Sequence, residues 1–165
     1  MRKILVFGNS GSGKSTFATR LCAAENLSHL DLDTHAWLPV VPPVRRPLAS
    51  SQRELADFID THQSWVIEGC YSDLLALAVP YANEAIYMNL SIDACVANAK
   101  RRPWEPHKYG SKEAQDENLE MLIGWIRQYD ERNDACSRSA HTDLYESFAG
   151  KKSTLTGIGE SPEHA

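Results

Sequence analysis

What the chain lacks narrows its function before any motif is considered. No stretch approaches the roughly 20 apolar residues that cross a bilayer as a helix, so no membrane association is expected. The apolar run near the start, Ile4-Leu5-Val6-Phe7, is too short for a signal peptide and is cut off by Gly8-Asn9-Ser10-Gly11. The four cysteines, Cys22, Cys70, Cys95 and Cys136, include no CxxC pair, which argues against a zinc knuckle or dithiol redox motif. Lone thiols suit a reducing compartment, and a cytoplasmic protein is expected. The formal net charge is −5; duplex binding relies on basic patches that neutralise phosphates, so no nucleic-acid partner is expected. There is no internal repeat and no low-complexity segment.

The composition is that of a globular domain, with 42% hydrophobic and 24% charged residues in 165. One domain over residues 1–157 is expected, followed by a flexible tail at 158–165. Charge is unevenly placed. Glu54 to Ala99 contains no Lys or Arg but seven acids, and five of the 17 basic residues then fall between Lys100 and Lys112.

Short apolar runs, Lys3–Phe7, Leu27–Leu32, Trp65–Ile67 and Ala85–Leu90, read as strands, with a fifth at Ser153–Thr156. Helices are expected over 14–24, 48–62 (Leu48, Leu55, Phe58 and Ile59 facing the core), after Ser91, after Ser111, and over 134–148 with Gly150 as the terminating glycine. Pro39, Pro42, Pro43 and Pro47 exclude regular structure from 38–47. Strands alternating with helices predict an α/β domain built on a parallel sheet.

Gly8-Asn9-Ser10-Gly11-Ser12-Gly13-Lys14-Ser15 satisfies GxxxxGK[ST], and it follows a strand and opens a helix. Glycines permit a tight loop whose amides face phosphate oxygens, and the helix adds its positive end. Lys14 can bridge the β- and γ-phosphates, and Ser15 can place its hydroxyl on Mg2+. Gly8 to Thr16 is therefore expected to hold Mg-ATP. No Asn is followed by Lys, so the NKxD base-reading motif of GTPases is missing and a small kinase is the favoured branch.

Further candidates follow the chain order of such enzymes. Asp31 and Asp33 fall after the second strand; on an extended chain alternate residues share a face, so both carboxylates can point into one cleft. One supports Mg2+, with Asp31 the candidate; the other, Asp33, accepts the proton of an acceptor hydroxyl. Glu68 ends the third strand, where ligands of parallel sheets bind, as a magnesium ligand or acceptor-binding group, with Gly69 letting backbone approach the ligand. Trp37, Tyr71 and His35 can line an acceptor pocket. Arg101 and Arg102 begin a lid over about 101–112 and stabilise the transferring phosphoryl group; Arg127 and Arg132 are second-line candidates. Trp65 and Trp125 suit the core, and neither His107 nor His141 has metal-ligand spacing.

These elements resemble the adenylate-kinase-like P-loop proteins of the topology modulation, or FlaR-related, group. Gly8 to Thr16 is followed by Leu32-Asp33-x-x-x-Trp37, similar to the group's LDxxxW, and by Trp65-Val66-Ile67-Glu68-Gly69-Cys70-Tyr71, similar to its WIIDGNY. The resemblance covers about residues 1–110. It implies a three-layer fold with a five-stranded parallel sheet in the order 2-3-1-4-5, helices on both faces and a mobile lid. Asp31-x-Asp33 is also similar to shikimate kinases, although Glu68-Gly69-Cys70 stands where they carry three glycines. The leading expectation is transfer of the ATP γ-phosphoryl group to a small-molecule or nucleotide acceptor. The alternatives are an ATP-binding regulatory protein without such an acceptor, and a kinase of a macromolecule. The sequence sets neither the acceptor nor the oligomeric state.

Overall fold

Apolar side chains on both faces of a strand require cover on both faces, and the computed structural model, which describes residues 1–40, 42–106 and 108–157, supplies it. Strand β1 (Lys3–Gly8) lies at the centre, fully buried from Ile4 onward. It pairs in parallel with β3 (Trp65–Gly69) on one side and β4 (Glu84–Met88) on the other. Strand β2 (Ser28–Asp31) adds to β3, and β5 (Lys151–Leu155) to β4. The order is β2-β3-β1-β4-β5, as the resemblance implied.

Two apolar layers sandwich the sheet. Ile4, Val6, Val66, Ile86 and Met88 pack against α1 (Lys14–Glu25), α5 (Ile92–Lys100) and α7 (Leu119–Arg127) through Ala18, Cys22, Cys95, Val96, Ile123 and Ile126. Leu5, Phe7, Trp65, Ile67 and Tyr87 face the opposite way. They pack on α3 (Leu48–Thr61) and α4 (Ser72–Ala78) through Leu55, Ile59, Leu74 and Leu75, with Phe148 after α8 (Arg138–Ser147) completing the layer. Burying each Leu, Ile or Phe contributes about 1.5–3 kcal/mol, so these layers carry the fold. A four-residue helix α2 (Asp33–Ala36) and a helix α6 (Lys112–Glu117) complete the elements.

The structure departs from the sequence expectations at several points. Leu48 is 45% exposed, because it opens α3 directly after Pro47 and the inward stripe begins one turn later with buried Ser51, whose hydroxyl donates to the His35 carbonyl. Helix α4 was not foreseen; its seven residues lie in the apolar stretch before Pro80. The helix after Ser111 divides at Asn118, and Gly124 sits within α7. Helix α8 starts at Arg138 rather than 134, since the Ser137 hydroxyl accepts from the Ala140 amide. Gly150 is not a helix-terminating glycine: a Cβ there would meet the Asn83 carbonyl oxygen at 2.7 Å. Within the proline-rich stretch, Trp37 and Arg45 form an antiparallel bridge. The expected tail at 158–165 and the reading of His107 lie outside the described residues. No helix among the described residues is long and apolar enough to cross a membrane.

Candidate functional site

In a parallel sheet all strands end at one edge, and β1, β2 and β3 end there with Gly8, Asp31 and Gly69. The Gly8–Ser15 loop leaves β1 at this edge. Gly11 and Gly13 have φ of 77° and 88°, left-handed values that a side chain disfavours. Gly11 is also close-packed: a Cβ would lie 2.3 Å from the Cys95 carbonyl oxygen of α5. Two side-chain amides tie the loop to the neighbouring helices. Asn98 Nδ2 donates to the Gly11 carbonyl at 2.8 Å, and Asn9 Nδ2 to the Ile126 carbonyl at 3.1 Å.

Serine hydroxyls cap α5, α6 and α8, but no side chain caps α1, so its first-turn amides keep their positive end available. Lys14 is buried and donates to the Asn9 carbonyl at 2.8 Å, folding back over its own loop. The Ser12 hydroxyl and Asn9 Oδ1 are buried without a hydrogen-bond partner. Ser15 is half-buried beside them, Ser10 half-buried and Thr16 exposed.

Across the edge lies a cluster of acids. Asp31 and Glu68 are register partners on β2 and β3. Asp33 does not continue the strand as expected: its amide donates to Asp31 Oδ1 at 2.9 Å, a local turn that starts α2. The two aspartates nevertheless converge, because Lys108 bridges them with its ammonium 2.8 Å from Asp33 Oδ2 and 3.5 Å from Asp31 Oδ2. The Tyr71 hydroxyl donates to the other Asp33 oxygen at 2.8 Å and accepts from Trp37 Nε1 at 2.8 Å. Arg45 stacks over both Tyr71 and Trp37 while pairing with Asp73 at 3.0 Å. His35 lies outside this network, near Glu54 on α3.

The electrostatics of the two aspartates diverge. Burial, then the charges of Glu68 and Asp33, raise the Asp31 carboxyl above its ordinary value against the pull of Lys108. Burial pushes Asp33 up too, but the Lys108 ammonium, the Tyr71 hydrogen bond and the more distant Lys14 outweigh it and hold Asp33 below its ordinary value. Asp33 is thus a fixed carboxylate. Burial and the neighbouring Cys70 and Asp33 raise the Tyr71 hydroxyl, keeping it a donor. Glu68 is 1% exposed, and its Oε1 has no hydrogen-bond partner, with His29 Nε2 at 3.6 Å.

Other expected residues sit elsewhere. Arg101 reaches Asn98 at 3.4 Å, and Arg102 pairs with Glu105 at 3.1 Å. Arg132 stacks on half-buried Trp125 and donates to the Cys136 carbonyl at 2.8 Å, while Trp65 is core. Gly69 packs against Leu32, where a Cβ would lie 2.9 Å from Leu32 Cβ. Behind Tyr71, buried His141 contacts the Cys70 carbonyl through Nε2 at 2.7 Å and the Tyr129 hydroxyl through Nδ1 at 2.8 Å. Burial lowers its imidazole to about 4, so it is neutral and Nε2 carries the proton. Lys108 was missed by the sequence reading. Its only signal was membership of the basic cluster after Ala99, since nothing local shows that it reaches back 75 positions to Asp33.

No family model matches the sequence, and no curated protein matches it. Solved structures match in shape. A sugar kinase from Janibacter sp. is 14% identical with a TM-score of 0.54, covering 99% of this chain and 89% of that one. Shikimate kinase from Acinetobacter baumannii, in complex with shikimate, is 13% identical with a TM-score of 0.54, covering 99% and 88%. A protein from Thermus thermophilus is 15% identical with a TM-score of 0.55, covering 94% and 88%. At such identities the likeness concerns the backbone. With its five-stranded parallel sheet and flanking helices, the chain has a P-loop kinase-like fold.

Proposed function

We propose that the chain is a phosphotransferase that binds Mg-ATP on Gly8–Thr16 and transfers the γ-phosphoryl group to a hydroxyl of a small-molecule or nucleotide acceptor. The observation that carries this reading is the placement of Asp33. Its carboxylate is fixed by the Tyr71 hydroxyl and the Lys108 ammonium, on the same sheet edge as the uncapped start of α1. The shape shared with a sugar kinase and with shikimate kinase supports it.

The division of labour follows from the geometry. First-turn amides and Lys14 hold phosphate oxygens, Lys14 exchanging its Asn9 carbonyl for the anion. Asp33, held ionised, orients the acceptor hydroxyl and takes its proton as the bond to phosphorus forms. A strongly basic group is not required, because phosphoryl transfer depends chiefly on positioning and charge stabilisation. Trp37 and Tyr71 form the acceptor wall. The segment 101–112 serves as a lid that excludes water, with Arg101 and Arg102 turning from Asn98 and Glu105 towards phosphate.

Among the described residues no three His, Cys, Asp or Glu side chains form a ready metal cage. Mg2+ keeps several waters and shares its shell with phosphates, so it needs no such cage. Glu68, with a buried oxygen lacking a partner, and its neighbour Asp31 fit such an ion together with the Ser15 hydroxyl. When bound, the ion neutralises charge on the β- and γ-phosphates. The hydrogen bonds from Trp37 to the Tyr71 hydroxyl and from Tyr71 to Asp33 make the LDxxxW-like and WIIDGNY-like elements one physical unit, which supports kinship with the FlaR-related group.

The test is ADP formation from Mg-ATP across pooled hydroxylated metabolites and nucleoside monophosphates, with Lys14→Met as control. A pool that accelerates turnover only when Lys14 is intact establishes the kinase. ATP binding without stimulation by any pool transfers support to a regulatory protein or a macromolecular acceptor.

A further inference from the structure

Lys108 does two things at once. Its ammonium, with three protons to donate, lies 2.8 Å from Asp33, 3.5 Å from Asp31 and 3.8 Å from Glu105. It is also the tie that crosses the cleft. The remaining polar contacts of its segment are local. Glu105 N donates to Gln115 Oε1, Gln115 Nε2 to the Pro103 carbonyl, Trp104 Nε1 to the Tyr109 carbonyl, and Asn118 Nδ2 to the Tyr109 hydroxyl. Arg102 pairs with Glu105 and Lys112 with Asp116. Among the described residues, the polar contacts from 101–112 to β2 and α2 are those of Lys108. Withdrawing one side chain therefore frees the segment from the acidic edge without breaking its internal bonds.

The acids at this edge are not balanced by that one ammonium. Asp31, Asp33 and Glu68 present three carboxylates; Glu68 Oε1 has no hydrogen-bond partner, with His29 Nε2 at 3.6 Å, and the more distant Lys14 adds only a weaker pull on Asp33. A divalent ion at Asp31 and Glu68 compensates the edge better than a single positive charge. Placed there, it would share the Asp31 carboxylate with the Lys108 ammonium, which lies 3.5 Å from Asp31 Oδ2, and would repel it as a like charge.

We propose that Lys108 is a latch that holds the place of a divalent cation: its seating on Asp31 and Asp33, and cation binding at the Asp31–Glu68 edge, exclude one another, so that cation entry releases segment 101–112. The proposal rests on the phosphotransferase reading only in placing the cation at Asp31. Coupling between two binding events is reciprocal, so removing the latch tightens cation binding as surely as the cation loosens the latch.

The experiment is Mn2+ binding without nucleotide, followed by the paramagnetic signal of the free ion, on the full chain and its Lys108→Met, Lys108→Arg and Asp31→Asn variants. Each variant is first checked for a native-like melting transition. Lys108→Met is expected to bind Mn2+ about tenfold more tightly, Lys108→Arg like the parent, and Asp31→Asn about tenfold more weakly. In parallel, Mn2+ should speed tryptic cleavage at Arg101 and Lys112 in the parent chain. In Lys108→Met cleavage should be fast with or without the ion. Unchanged affinity in Lys108→Met beside weakened binding in Asp31→Asn overturns the latch and leaves the phosphotransferase reading standing. Unweakened binding in Asp31→Asn overturns the latch together with the metal site of that reading, whereas the nucleotide assay with Lys14→Met judges the rest separately.

Discussion

The Gly8–Ser15 loop and the acidic cluster lie at the same edge of the sheet, yet they are made by different means. In the loop the groups proposed to face phosphate are mainly backbone amides of eight consecutive residues, held by two left-handed glycines and braced by Asn98 and Asn9. At the edge they are side chains from β2, α2, β3 and the segment before α6, joined through Asp33 over as many as 75 positions. A backbone site depends on conformation and tolerates little change in it. A side-chain site depends on partners, and each can be exchanged while the fold persists.

The largest expected effect separates the two regions. Asp33→Asn keeps the shape but loses the charge, so transfer to the acceptor should fall about 10^3-fold. Stabilisation of the fold by ATP, followed as a thermal shift, should stay near parental. A parental turnover rate would remove Asp33 from its assigned role. Gly11→Ala works the other way. The strained φ and the contact with the Cys95 carbonyl should cost about 3 kcal/mol in urea unfolding and abolish ATP stabilisation. Mn2+ binding at the acidic edge should survive below the melting temperature.

A pH titration sharpens the contrast from beneath the edge. His141 supports the Cys70 carbonyl next to Tyr71, and its folded value of about 4 lies below the ordinary 6.5. Between those values the unfolded chain binds more protons than the folded one. The stabilisation is therefore complete above about pH 6.5 and lost as pH falls towards 4, by up to about 3 kcal/mol. Urea unfolding at pH 7 and pH 4.5 measures it, and His141→Gln should flatten the dependence. The smallest effect is that of Tyr71→Phe, which deletes one hydrogen bond to Asp33 and the acceptor of Trp37 Nε1. Transfer should slow about tenfold, and a rise in acceptor KM alone would assign Tyr71 to binding.

The same division explains what could be read in advance. The loop motif is contiguous, and its strand-before, helix-after setting was visible, as were the five strands of the sheet and the Ser91 and Ser111 caps. The sheet order came through the resemblance rather than from periodicity, because pairing between distant strands leaves no local trace. Helix α4 escaped because seven residues give too short a window for a 3.6-residue repeat. The convergence of Asp31 and Asp33 was expected from strand alternation but arises from a turn and a bridging lysine. Lys108 itself was passed over for the guanidinium groups beside it, since only the folded segment shows which of five nearby cations reaches the acids.

The bond from Asn9 to the Ile126 carbonyl has a consequence for the chain during its synthesis. The glycine-rich loop leaves the ribosome before one of its braces, which is translated more than a hundred residues later, and the strands on either side of β1 also come after it. A contiguous eight-residue signature is thus completed only once Ile126 has emerged. Domains fold as units as they appear, so acquisition of nucleotide affinity would mark the moment at which this one closes.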